Sequence, residues 1–193
     1  AYSDELKIYK DEKIYGRDYI VWALVKNGKI QQAEELLNKM QAEASDFNTR
    51  FRFAVKYSSS LVLFEEKKYG KAVRQFEDAF TALPPKHEPN FFYAVSLLKS
   101  GETVKAVSEF QKIKDWPFKF QFAEGPGAMA YWPIQNVKSH YWLGAAYEKT
   151  GNREEAIKEY EHFMEIWKDY DFNSPEIRDA KIRIAKLKGV AFR

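Results

Sequence analysis

The chain has 193 residues, 45% of them hydrophobic and 31% charged, enough for one core or for an array of small units sharing a continuous one. Its net charge of +3, from 31 basic and 28 acidic residues, lacks the concentrated positive charge of a phosphate-backbone binder, so nucleic acid is not an expected partner. The absence of cysteine excludes disulfides, thiol nucleophiles and thiolate metal sites, and since no stretch approaches the roughly 18 to 20 apolar residues of a membrane span, no membrane insertion is expected.

Taken in chain order, residues 1–13 read as a leading helix, and four copies of a helical hairpin follow at 14–47, 53–86, 87–118 and 137–170. In the second helix of each copy an alanine precedes a large residue by four positions: Ala33 and Leu37, Ala72 and Phe76, Ala106 and Phe110, Ala156 and Tyr160. The step from Ala72 to Ala106 is 34 residues and the other steps are 39 and 50, so the array has one regular period and two insertions. Twelve residues before each alanine the first helix carries a small or middling residue, Val21, Ser60, Ala94 or Gly144, where its partner helix would cross. Gly28, Gly101 and Gly151 end that first helix in three of the four copies, as expected where the chain turns through a left-handed conformation. Small residues thus let paired helices approach, and aromatic side chains, 17% of the chain, fill the gap to the next hairpin.

The segment 119–136 reads as an aromatic insertion between the third and fourth copies. Around its start Phe118, Phe120 and Phe122 alternate with Lys119 and Gln121 in a strand-like period, and Gly125-Pro126-Gly127 sets a turn. Exposed rings would forgo about 1.5 to 3 kcal/mol each, so a loop packed into or across a groove is expected. Ser174, Pro175 and Glu176 then open a capping helix over 174–189. Its apolar face, Ile177, Ala180, Ile184 and Leu187, covers the last hairpin, while Arg178, Lys181, Arg183, Lys186 and Lys188 read as a solvated basic face.

This register resembles the tetratricopeptide repeat (TPR). The fourth copy carries Leu143, Gly144, Tyr147, Ala156 and Tyr160 at the family spacing, and the second carries Tyr69, Ala72, Phe76, Ala79 and Pro84. The first copy departs most, with Val21 for the small residue and Leu37 for the aromatic, and the third has Ile113 where alanine is usual. The resemblance implies an all-α protein, a right-handed α-solenoid of TPR hairpins with a C-terminal capping helix, forming a single domain over 1–193. The stretch from Ala130 to Leu187 is also similar to the C-terminal TPR segment of large prokaryotic multidomain proteins. That similarity, and a start at Ala1 rather than Met, imply a piece of a longer chain with a covalently linked effector domain. The opening "AYSDELKIYK" lacks a signal-peptide layout, and the cytoplasm is the expected compartment for the fragment as given.

In the family the first helix of each hairpin lines the concave face. Carried over position by position, the resemblance implies a partner-binding groove of Tyr15 and Trp22; Tyr57, Leu61 and Phe64; Phe91 and Val95; and Lys138 and Tyr141. Such a surface suits an apolar peptide or helix. The carboxylate clamp of chaperone-binding relatives has no counterpart, because its places hold residues such as Ala54, Tyr57 and Trp142 and only Lys138 fits. The implied function is a non-enzymatic scaffold for a protein or peptide partner. Self-assembly, regulation within a larger protein, and sensing of a small apolar ligand are the alternatives.

No constellation for chemistry emerges, and no cofactor or metal is expected. His87, His140 and His162 form no ligand-spaced pair, the last two lying on different helices of the fourth copy. Ser139 beside His140 is no nucleophile and base, because adjacent helical residues point apart. Glu34-Glu35 and Glu154-Glu155 sit near helix starts, where they complement the dipole. Gly125 and Gly127 lack the Lys-Ser/Thr of a phosphate loop.

Overall fold

Every described apolar run with a helical period forms a helix. The computed structural model describes residues 17–43, 49–82, 90–115, 128–168 and 174–189. They form nine helices: α1 (Arg17–Lys26), α2 (Ile30–Glu43), α3 (Thr49–Glu65), α4 (Tyr69–Ala82), α5 (Phe91–Ser100), α6 (Thr103–Asp115), α7 (Ala128–Lys149), α8 (Arg153–Ile166) and α9 (Pro175–Lys188). The leading segment 1–13, Tyr15, and the alternating Phe118, Phe120 and Phe122 with the Gly125-Pro126-Gly127 turn lie outside the described residues. Of the segment read as an insertion, residues 128–136 are helical, because α7 starts at Ala128 and runs for 22 residues.

The chain divides into two compact units, Ala1–His87 and Glu88–Arg193. In the first, α1 and α2 form one hairpin, α3 and α4 a second, and α3 also packs on both α1 and α2. In the second, α5 pairs with α6 and α7 with α8; α7 packs on α6, and α9 packs on α8. Each hairpin has the close contact that its small residues anticipate. Val21, Ser60, Ala94, Ala33, Ala72, Ala106 and Ala156 are wholly buried, as are Phe76, Phe110 and Tyr160 four residues after the last three alanines. Leu37 is buried in a cluster with Val21, Val25, Met40, Val55 and Val62, the core of the first unit.

The turns between paired helices follow one plan. Gly28, Gly101 and Gly151 have φ of 71°, 97° and 78°, and the residue after each donates to a carbonyl five residues back: Lys29 to Leu24, Glu102 to Leu97, Asn152 to Tyr147. In the remaining hairpin Lys67 takes this place, five residues before Ala72, with φ of 60°, and Lys68 donates to the Leu63 carbonyl. The left-handed turn is thus a property of the hairpin, and lysine adopts it where glycine is missing.

Candidate functional site

Within the unit 88–193, the end of α5, the outer rows of α7 and one side chain of α9 enclose a cleft of about 260 Å³. Tyr141, Ala145 and Glu148 are spaced four and three residues apart and so share one row of α7, with Trp142 and Lys149 beside it. Leu98 and Lys99 approach from α5 and Arg183 from α9.

A polar chain fastens α9 to α7 across this cleft. Tyr141 donates to Asp179 Oδ2 at 2.6 Å, Arg183 Nε to the same oxygen at 2.5 Å, and Arg183 Nη1 to Glu148 Oε2 at 2.6 Å. The buried Tyr160 hydroxyl donates to that Glu148 oxygen at 3.1 Å. Further along α9, Lys138 pairs with Glu176 at 2.9 Å. Burial raises the phenol pKa of Tyr141, and its bond to the Asp179 carboxylate adds to the rise. For Asp179 burial acts upward, but the bonds from Tyr141 and Arg183 outweigh it and hold the carboxyl below its ordinary range. Arg183 is therefore a structural ion between two carboxylates, not part of a solvated basic face, and Lys188 likewise pairs with Glu161 at 2.5 Å. The face expected to be apolar does pack inward: Ile177 and Ala180 are buried, and Ile184 and Leu187 half-buried.

Behind α7 lies a second polar cluster. The Glu159 carboxylate, 3% exposed, meets His140 Nδ1 at 2.6 Å through Oε2 and Lys114 Nζ at 2.9 Å through Oε1, joining α6, α7 and α8. The His140 and His162 rings pack edge-on with centroids 4.3 Å apart, although their sequence positions suggested no pairing. Burial acts upward on Glu159, but its bonds to His140 and Lys114 prevail and lower its pKa. His162 is exposed as a whole, but the His140 ring packed on it shields it partly from water, and that desolvation, then the His140 charge, lowers its pKa. Among the described residues no group of three or more His, Asp and Glu could hold a metal ion.

The residues expected to line a groove fall into two sets. Leu61, Phe91, Val95 and Tyr141 are buried. Phe91 stands edge-on to Phe110 at 6.4 Å, and Tyr141 carries the hydrogen bond to α9. Trp22, Tyr57, Phe64 and Lys138 keep part of their surface. Lys26 Nζ lies 4.4 Å from the Trp22 ring centre, Tyr57 stacks on Phe53 at 5.6 Å, and Phe64 meets the Tyr69 ring edge-on at 5.7 Å. Sequence reasoning passed over Lys99, Lys149, Asp179 and Arg183 as site residues. The signal for the last two was their spacing of four on one helix, an acid before a base.

Within each unit, antiparallel hairpins packed on one another with an alanine at each close crossing make an all-α fold of TPR-like hairpins. Residues 137–169 match the family model described as tetratricopeptide repeat. A solved structure of a candidate kinesin light chain from Podosopora anserina, with nearly identical TPR-like repeats, superposes with a TM-score of 0.59 at 17% identity. A singly substituted form of that protein gives 0.61 at the same identity, and in both cases 90% of this chain and 84% of the other are covered. At that identity the likeness is one of fold. No curated protein matches the chain. No helix among the described residues is long and apolar enough to cross a membrane.

Proposed function

We propose that this chain is a non-enzymatic scaffold that holds a peptide or protein segment against the first helices of its hairpins. TPR repeats generally mediate protein–protein interaction, and the match of residues 137–169 to that family supports the same role here. The observation that carries the reading is the cleft of about 260 Å³ between α5, α7 and α9, with aliphatic, aromatic and charged groups on one concave surface. In the first unit the corresponding anchors are the partly exposed Trp22, Tyr57 and Phe64 on α1 and α3. Helices fixed by their own cores lose little freedom on binding, so the incoming segment bears most of the ordering cost. A covalently linked effector domain belongs to the same proposal, as the part of a longer protein that such a scaffold would serve.

The test is selection from a displayed library of random peptides on the intact chain. Enrichment of a family of peptides, lost with the Trp142→Ala variant while its helical circular dichroism is unchanged, is the expected result. If no peptide is enriched on the folded protein, the scaffold reading fails.

A further inference from the structure

The cations around the cleft are not equally neutralised. Arg183 lies between Asp179 at 2.5 Å and Glu148 at 2.6 Å, and Lys138 has Glu176 at 2.9 Å. Lys99 and Lys149 form no ion pair among the described residues. The Lys99 ammonium sits 4.8 Å from the centre of the Trp142 ring, and the Lys149 ammonium reaches the Leu98 carbonyl at 3.3 Å. Asp179 senses the Lys99 charge only beyond ion-pair distance, and its carboxylate is bonded to Tyr141 and Arg183. The one carboxylate that lines the cleft, Glu148, is already taken by Arg183 and by the Tyr160 hydroxyl. Two ammonium groups thus line one cleft with no paired counter-charge, and an anion brought there would be attracted by both. Between them Leu98 and Ala145 supply an apolar wall.

We propose that this cleft receives an extended acidic segment of a partner protein, its side-chain carboxylates on Lys99 and Lys149 and an intervening apolar side chain on Leu98 and Ala145. The proposal rests on the scaffold reading and names the chemistry of what that scaffold holds. It also departs from the apolar partner that the sequence implies, because the charges come from helix rows outside the family's clamp positions. Acidic side chains fit better than a chain terminus. A terminal carboxylate is best held by a planar fork of donors, and the only guanidinium lining the cleft has two carboxylates on it already, whereas lysines on separate helices act as separate point charges.

The test uses a fluorescein-labelled heptapeptide, blocked at both ends, with two glutamates on each side of a leucine. It is titrated against the intact chain by fluorescence anisotropy up to about 1 mM. The expected result is saturable binding that weakens by roughly tenfold or more when the glutamates become glutamines, and by a similar factor in the Lys99→Gln, Lys149→Gln double variant. Arginine at both positions should retain binding, Lys181→Gln on the outside of α9 should not change it, and added salt should weaken it. Equal binding of the glutamine peptide would overturn the acidic preference and leave the scaffold reading intact. Binding only by a glutamine peptide with a free C-terminus would move the site to a chain end and overturn the assignment to side chains. Failure of every peptide, together with an empty library selection, would remove both readings.

Discussion

Gly144 shows how little room a single position can leave. A Cβ added there would lie 2.8 Å from Cε1 and 2.9 Å from Cδ1 of Tyr160. That ring cannot retreat easily, since it is wholly buried and its hydroxyl is bonded to Glu148. Gly144→Ala should therefore lower stability by about 1 to 3 kcal/mol, even though alanine is the better helix former by about 1 kcal/mol. A thermal melt of the 88–193 region that is unchanged or raised would mean that the ring yields. Lys67 presents the opposite case. A non-glycine residue in the left-handed region costs about 1 to 2 kcal/mol, offset in part by the larger entropy glycine loses on folding. Lys67→Gly should stabilise the first unit by about 0.5 to 1 kcal/mol, read as a higher urea midpoint at unchanged slope. Both sites follow from the repeat register, in which Gly144 is twelve residues before Ala156 and Lys67 five before Ala72. What the sequence did not reveal at this scale is the identity of the obstacle, because which atoms of Tyr160 stand over Gly144 depends on the rotation of α8 against α7.

At the scale of the helix, α9 is the clearest departure from expectation. Its pattern of Ile177, Ala180, Ile184 and Leu187 identified the face that packs. Hydrophobic periodicity says little about residues at the margin of such a face, since a side chain there can turn to water or inward. Arg183 turns inward because α7 offers Glu148, and Asp179 one turn earlier on α9 supplies the second carboxylate. Replacing Arg183 with leucine would leave both carboxylates facing a half-buried cleft without their cation. Amide hydrogen exchange in α9 should then accelerate by roughly tenfold, corresponding to about 1.4 kcal/mol of lost local protection, while α5 and α6 are unaffected. Equal exchange in the variant would mean that α9 is retained by its apolar contacts alone. The charge cleft was hidden for the same reason. Lys99, Lys149 and Arg183 come from three helices, and no spacing along the chain marks their meeting.

At the scale of the whole unit 88–193, the buried Glu159 and the exposed His162 beside its partner His140 tie stability to pH. The pKa of His162 is lowered from 6.5, so the folded state prefers the neutral ring. Its contribution is present above pH 6.5 and is lost as pH falls below that value. Glu159, lowered from 4.5, contributes above that pH and loses its contribution as acid protonates it in the folded state. Both groups make acid destabilising, in two successive windows. Melting temperature followed from about pH 8 downward should fall first below about 6.5, and His162→Gln should flatten that first decline while leaving the one below about 4.5. A variant with an unaltered profile would exclude His162 as the source.

The sequence by itself determined the register of the repeat: which alanines and glycines mark the crossings and turns, and that every described element is a helix. These are local consequences, set by side-chain volume, by the helical period of about 3.6 residues and by the φ a turn requires, and each can be read within about one repeat length. Tertiary structure alone decided which polar groups meet. Asp179 and Arg183 with Tyr141 and Glu148, His140 with Glu159 and Lys114, and the two ammonium groups left facing the cleft are encounters between helices. The pairs that cross from one helix to another lie 19 to 45 residues apart. The energy of such an encounter depends on distances and burial that a linear pattern does not contain, so the helices had to be rotated against one another before the chemistry of the surface existed.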